Sequence, residues 1–304
     1  MKKNVGICKL SSLALFCLMI SSCVVMDVVG AGVSLVGVIT DNPVLESTGT
    51  AVSSIAEASA PITPAQEYYI GRSVAASILT TYKIYQNEEL TRYINKVCQV
   101  LVINSNRSEM YNGYHVAVLD TSQINAFASS GGHIFVTKGL LECANSEDAL
   151  AAILAHEIAH IQLQHGISAI KSSRWTSAVT ATAGATLNML SEGEAEDVVK
   201  AFDESVSDIV STMVNTGYSQ SQEYDADETA LEIMEAAGYN PHALLDMLHL
   251  LQEKQPNTSG GFASTHPSAK KRIKKAEKNL RDYDELIIPE IRYQRFVQAL
   301  SKMT

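Results

Sequence analysis

A 304-residue chain with 46% hydrophobic and 18% charged side chains has an ordinary globular balance, so a sizeable core can form, in one or two domains. The formal net charge of -10, without a dense Lys/Arg stripe, argues against nucleic acid as a partner. The one basic cluster, Lys270, Lys271, Arg272, Lys274 and Lys275, lies in a helix-like polar stretch and reads as a solvated face.

In chain order, the first feature is a targeting segment. Lys2, Lys3 and Lys9 supply positive charge, and residues 10–20 form an apolar run too short to span a bilayer alone. It ends in Ile20-Ser21-Ser22-Cys23, which resembles the lipobox of bacterial lipoproteins. That resemblance implies a signal peptide over 1–22 and a lipid anchor on Cys23. Each buried methylene contributes roughly 0.8 kcal/mol, so several acyl chains anchor stably where one does not. Val24 follows, rather than the Asp that resembles an inner-membrane retention signal. The expected place is therefore the cell envelope, on the outer membrane facing the periplasm. Residues 24–39 are apolar, broken by Asp27, and 40–62 carry Pro43, Pro61 and many Ser, Thr and Ala. Together 23–63 read as a lipid-attached segment and tether. Cys8 and Cys17 leave with the signal. Cys98 and Cys143 can pair as a disulfide outside the cytoplasm, or stay as separate buried thiols in helix-patterned segments.

A domain begins near Pro64 and runs to 304. Apolar spacing predicts helices over 65–85 and 88–103. Residues 114–119 read as a strand, and 125–129 with 133–137 as a hairpin around Ser130-Gly131-Gly132. A short helix is expected from 139. A strong one is expected from Ser146, with Glu147 and Asp148 in its first turn, to about 172. Residues 176–216 read as helical with a break near 191–193, and have the length of a lid. Residues 220–237 read as a helix stopped by Gly238 with Pro241 beyond, and further helices are expected over 267–283 and 289–302. No repeats occur. The expected class is α+β, mostly helical, with one small antiparallel sheet.

The chemistry centres on His156-Glu157-Ile158-Ala159-His160. Four residues advance about 400° on a helix, so both imidazoles share one face, one turn apart. That spacing suits two nitrogen ligands of a tetrahedral Zn²⁺, one per chain, with Glu157 in reach of a metal-bound water whose pKa falls from 15.7 to about 7. Leu150, Ile153, Leu154 and Ile158 give this helix an apolar face. A metzincin would carry Gly and His at the places held here by Leu163 and Gly166, so that class is excluded, and His165 reads as structural. The third ligand is then a carboxylate. Glu223 and Asp227 stand one turn apart, so Glu223 can bind metal while Asp227 accepts a hydrogen bond from the far nitrogen of a ligating His.

Four blocks in order resemble the HtpX, Oma-type and CAAX prenyl protease family of zinc metallopeptidases (peptidase family M forty-eight), its lipoprotein-type bacterial members most closely. They are Asn125-Ala126-Phe127-Ala128 with residues 131–137, His156 to His160, Tyr218-Ser219 with residues 223–227, and Thr265-His266-Pro267-Ser268 with Arg272. The resemblance covers roughly 65–280. It implies a minimal gluzincin fold, with the sheet over the HExxH helix, and endopeptidase activity on misfolded or membrane-associated proteins. It also implies ligands His156, His160 and Glu223 with Glu157 as general base. A substrate-pairing edge is implied around Asn125, Ala126, Phe127, Gly131 and Gly132. His266 would donate to the oxyanion, cap the metal in a latent state, or be structural; Arg272 would pair with an acidic neighbour. Gln220 stands where the family often has Arg, no run of membrane helices like those of HtpX is seen, and too little chain follows 280 for a tetratricopeptide domain. A stand-alone protease domain on a lipid tether, acting on envelope proteins, is the expected function. The alternative is a latent zinc-containing lipoprotein serving as chaperone or assembly factor.

Overall fold

A computed structural model describes residues 62–170, 192–254, 261–266 and 269–303. The signal segment, Cys23, the tether, residues 176–191 of the expected lid, Pro267 and Ser268 lie outside the described residues. The described elements from Thr63 onward belong to one unit, Thr63–Thr304. Among them no helix is long and apolar enough to cross a membrane.

Helix α1 (Pro64–Thr81) starts at a capping box in which Thr63 and Gln66 satisfy each other's backbone N–H groups. It was expected to reach 85 but stops at Thr81. Tyr82 turns extended and Ile84 bridges to Leu119, so pairing with a strand overrides helical spacing. Helix α2 (Glu88–Ile103) is capped by Asn87 and buries Leu90, Ile94, Val97 and Leu101. Three strands follow: β1 (His115–Leu119), β2 (Ala126–Ser129) and β3 (His133–Thr137).

The sheet order is β1-β3-β2. The predicted hairpin is present, with β2 antiparallel to β3. The sheet is mixed rather than antiparallel throughout, because β1 runs parallel to β3. The cause is β3's central place: it returns from the hairpin between the two earlier strands and meets one on each side. Its run Ile134 to Thr137 is buried throughout, as a strand covered on both faces requires, whereas β1 starts exposed and alternates.

Helix α3 (Lys138–Cys143) leads to α4 (Glu147–Gln162), capped by Ser146. Residues 147–161 of α4 are all buried, as expected for a helix apolar nearly all round. It touches α2, β2, α7 (Gln220–Ala236) and α8 (His242–Lys254) and so forms the axis of the core. Burying Leu150, Leu154 and Ile158 stabilises the fold by about 2 kcal/mol each. The expected run to 172 ends ten residues early: Gln164 takes φ 55°, and a single turn, α5 (His165–Ser168), doubles back. Helix α6 (Glu192–Ser211) closes in a π turn, Thr212–Thr216. After α8, which the elements predicted above omit, come α9 (Phe262–Thr265), α10 (Ala269–Asn279) and α11 (Glu290–Leu300). Cys98 and Cys143 are unpaired thiols.

Candidate metal centre

Helix α4 presents His156 and His160 on one face, with their Nε2 atoms 3.1 Å apart. Helix α7 begins at a capping box between Ser219 and Gln222, which places Glu223 at the head of that helix against α4. Glu223 Oε2 lies 3.6 Å from His156 Nε2, and Oε1 lies 3.5 Å from His160 Nε2. His266, at the end of α9, brings Nδ1 to 3.3 Å from His156 Nε2 and 3.0 Å from Glu223 Oε1. These four side chains are buried, and one ligand atom from each falls within 4.8 Å of all the others. Ligands about 2.0–2.1 Å from a tetrahedral zinc stand about 3.3 Å apart, so the nitrogen–oxygen set and its spacings fit that ion.

Glu157 is wholly buried, and neither carboxylate oxygen has a hydrogen-bond partner. Its Oε1 faces His266 Nε2 at 3.6 Å. Burial pushes its carboxyl above the ordinary range. Burial would also raise Glu223, but His266, Arg272 and hydrogen bonds from the histidines hold it well below. Burial drives the His160 imidazole well down, toward the neutral form that a metal needs.

A second ring of side chains orients these groups. His156 Nδ1 meets Asp227 Oδ1 at 3.0 Å, the pairing that the one-turn spacing of Glu223 and Asp227 allows. Arg272 donates to both Asp227 oxygens, at 2.8 and 2.7 Å, and its Nη1 lies 2.7 Å from Glu223 Oε2 without hydrogen-bond alignment. The basic cluster is therefore not uniformly solvated: Lys270, Lys271 and Lys274 are exposed, but Arg272 is 1% exposed, turned inward by two buried carboxylates. His165, read as structural, places Nδ1 at 2.9 Å from His160 Nδ1. Tyr218 stacks on His160 at 4.1 Å, and Phe262 on His266 at 4.2 Å. Sequence spacing gives no sign of Phe262. His165 is brought round only by the left-handed residue at Gln164.

The hairpin residues lie beside this cluster. Asn125 Oδ1 accepts from Thr265 Oγ1 at 3.0 Å, tying the start of β2 to the residue before His266. Strand β2 is an edge of the sheet, yet Ala126 to Ser129 are all buried, with the π turn against them. Helix α1 covers the turn: a side chain at Gly71 would put Cβ 1.5 Å from the Ser130 carbonyl oxygen. Gly131 holds φ 78° with Tyr68 Cα 2.8 Å from the place of a Cβ, so only glycine fits there.

Comparison with known sequences bears on the whole arrangement. The pattern of Peptidase family M48 matches residues 86–280, which include His156, His160, Glu223, His266 and Arg272. The chain belongs to peptidase family M48. Relatives within the family include the mitochondrial metalloendopeptidase OMA1 of Schizosaccharomyces pombe, 32% identical over 62% of this chain and 52% of that protein. The beta-barrel assembly-enhancing protease of Yersinia pestis is 23% identical over 85% of this chain and 51% of its own length. Metalloprotease LoiP of Escherichia coli is 23% identical over 61% and 69%. The chain spans about half the length of the first two relatives.

Proposed function

We propose that this member of the family is a zinc-dependent endopeptidase of the minimal gluzincin fold. It hydrolyses peptide bonds of misfolded or envelope proteins and is held at the outer membrane by lipid on Cys23, facing the periplasm. The observation that carries the reading is the buried convergence of His156, His160 and Glu223 beside Glu157, a carboxylate with no partner of its own.

His156, His160 and Glu223 would hold the ion. When bound, zinc supplies a Lewis acid that polarises the peptide carbonyl and acidifies a water. Glu157 would accept a proton at a carboxylate oxygen and return it to the leaving amine. Its burial suits this work, since desolvation raises the carboxyl's hold on a proton and so favours its acting as a base. Asp227 fixes the His156 ring through Nδ1, and Arg272 holds Asp227 and Glu223 in register. Substrate pairs with the β2 edge, next to Asn125, Ala126, Phe127, Gly131 and Gly132, by backbone hydrogen bonds that tolerate many sequences.

The complete burial of Glu157 and of β2 supports a closed resting state. His266 is the cap of that state, because its Nδ1 lies among the ligand atoms. The π turn and α6 are the cover that moves. The same burial favours the second reading, a latent zinc-containing lipoprotein acting as chaperone or assembly factor. Casein cleavage by the parent and by His266→Ala separates these accounts. A capped protease cleaves faster without the imidazole. If His266 donates to the oxyanion, cleavage falls by about a hundredfold or more. If neither protein cleaves casein and both hold zinc, the endopeptidase reading fails.

A further inference from the structure

A second cleft lies away from the metal centre. It has room for about 250 Å³ and separates α2 from the end of α11. One wall is the α2 stripe Glu89, Arg92, Tyr93 and Lys96, at positions i, i+3, i+4 and i+7. The other carries Arg295 and, just past the helix, Lys302, on the same spacing along α11. Four cations thus face one space with a single carboxylate, Glu89, in a chain whose net charge is -10. Glu89 is engaged by Lys302, and Arg295 directs Nε and one Nη to the buried Glu147 beneath the cleft. Arg92 and Lys96 are exposed and form no salt bridge among the described residues, although the Arg92 charge is felt by Glu89. Arg92 and Lys96 therefore stand one turn apart on the α2 wall with like charge, and an anion in the cleft offsets that repulsion.

We infer that this cleft binds a phosphate-class oxyanion, either the headgroup of a phospholipid or a free phosphate. The site has guanidinium and ammonium donors on both walls, and the planar fork of Arg92 matches a phosphate through two parallel N–H···O bonds. The space exceeds what a lone carboxylate fills. Half of the site lies on α11, beyond the residues matched by the family, so the property belongs to this chain rather than to the family's shared part. Arg295 also ties the cleft to the core by bonding Glu147, the first residue of α4.

The test uses the full chain in non-ionic detergent, with inorganic phosphate replacing chloride at constant ionic strength, and reads the thermal midpoint. The midpoint of the parent rises with phosphate. In Arg92→Gln with Lys96→Gln the apparent affinity falls by roughly tenfold per cation removed. No rise in the parent, or an equal rise in both proteins, overturns the site. If the double variant melts lower even without phosphate, Lys302→Gln carries the same comparison. Dihexanoyl phosphatidylglycerol below its micelle concentration separates the sources. Competition with phosphate assigns the site to a lipid headgroup, and lack of competition assigns it to the free ion. The readout is binding, so its outcome is independent of peptidase activity.

Discussion

Helix α4 carries a buried charge cluster at each end, and the two are built differently. At its head, Glu147 accepts from Tyr93 at 2.9 Å, from Tyr239 at 3.0 Å and from Arg295, while Asp148 accepts from the Asn240 N–H at 2.9 Å and from Arg292 at 3.0 Å. Only Asp148 Oδ2 lacks a partner there. Toward its tail, both Glu157 oxygens, Glu223 Oε2, Arg272 Nη1 and the Tyr218 hydroxyl are buried without a hydrogen bond. Native interiors leave few such groups, and each costs on the order of 1–3 kcal/mol. The head cluster closes on itself and staples α11 and the start of α8 to the core. The tail cluster is left open: Glu223 Oε2 and Arg272 Nη1 face each other at 2.7 Å without alignment, and the free Glu157 oxygens are what the proposed function assigns to a metal-bound water. Buried charge by itself therefore does not single out the proposed active site; Glu157, a buried carboxylate with neither oxygen bonded, does.

Substitutions can break this contrast. The largest loss is expected from Arg272→Met, which strands Asp227 and Glu223 in the interior; urea denaturation should show a cost of about 3–5 kcal/mol. Arg295→Met at the head should cost less, about 1–2 kcal/mol, because that arginine is half exposed and two tyrosines still donate to Glu147. If Arg295→Met proves the more damaging, the two clusters are ranked wrongly. Tyr239→Phe removes one of those donors and should cost about 1 kcal/mol. Tyr218→Phe is the smallest change: its hydroxyl is unpartnered, so stability should stay within about 0.5 kcal/mol of the parent or rise. A measured loss as large as that of Tyr239→Phe would mean the tail cluster is satisfied in solution and the contrast is void.

The tail cluster was the more legible of the two from sequence. His156 and His160, and again Glu223 and Asp227, stand four apart, and on a helix that spacing alone sets two side chains on one face. The β2–β3 hairpin was legible for a similar local reason, since Gly131 and Gly132 supply the positive φ that its turn needs. Partnerships across long sequence separations were not. By local pattern Arg272 was grouped with its lysine neighbours, and only the family resemblance pointed to an acidic partner, because nothing local shows that it faces Asp227, 45 residues away. The parallel pairing of β1 depends on where β3 inserts, and the early end of α4 on a glutamine in left-handed conformation where no glycine or proline marks a stop. The spacing of Leu244, Met247, Leu248 and Leu251 does carry a helical period, and α8 buries all four against α4 and its neighbours. At the head of α4, Glu147 and Asp148 read only as favourable first-turn charges. Their burial under Arg295 and Arg292 follows from the docking of α11.

The most direct test of the open cluster is to measure bound zinc and casein cleavage side by side in the parent and in Glu157→Gln. The substitution keeps the helix and all the ligands and removes only the unpartnered carboxylate. The account predicts one zinc in each protein, cleavage by the parent that a chelator stops, and a loss of about a thousandfold or more in the variant. A parent without zinc, or a variant that cleaves as well as the parent, would contradict it.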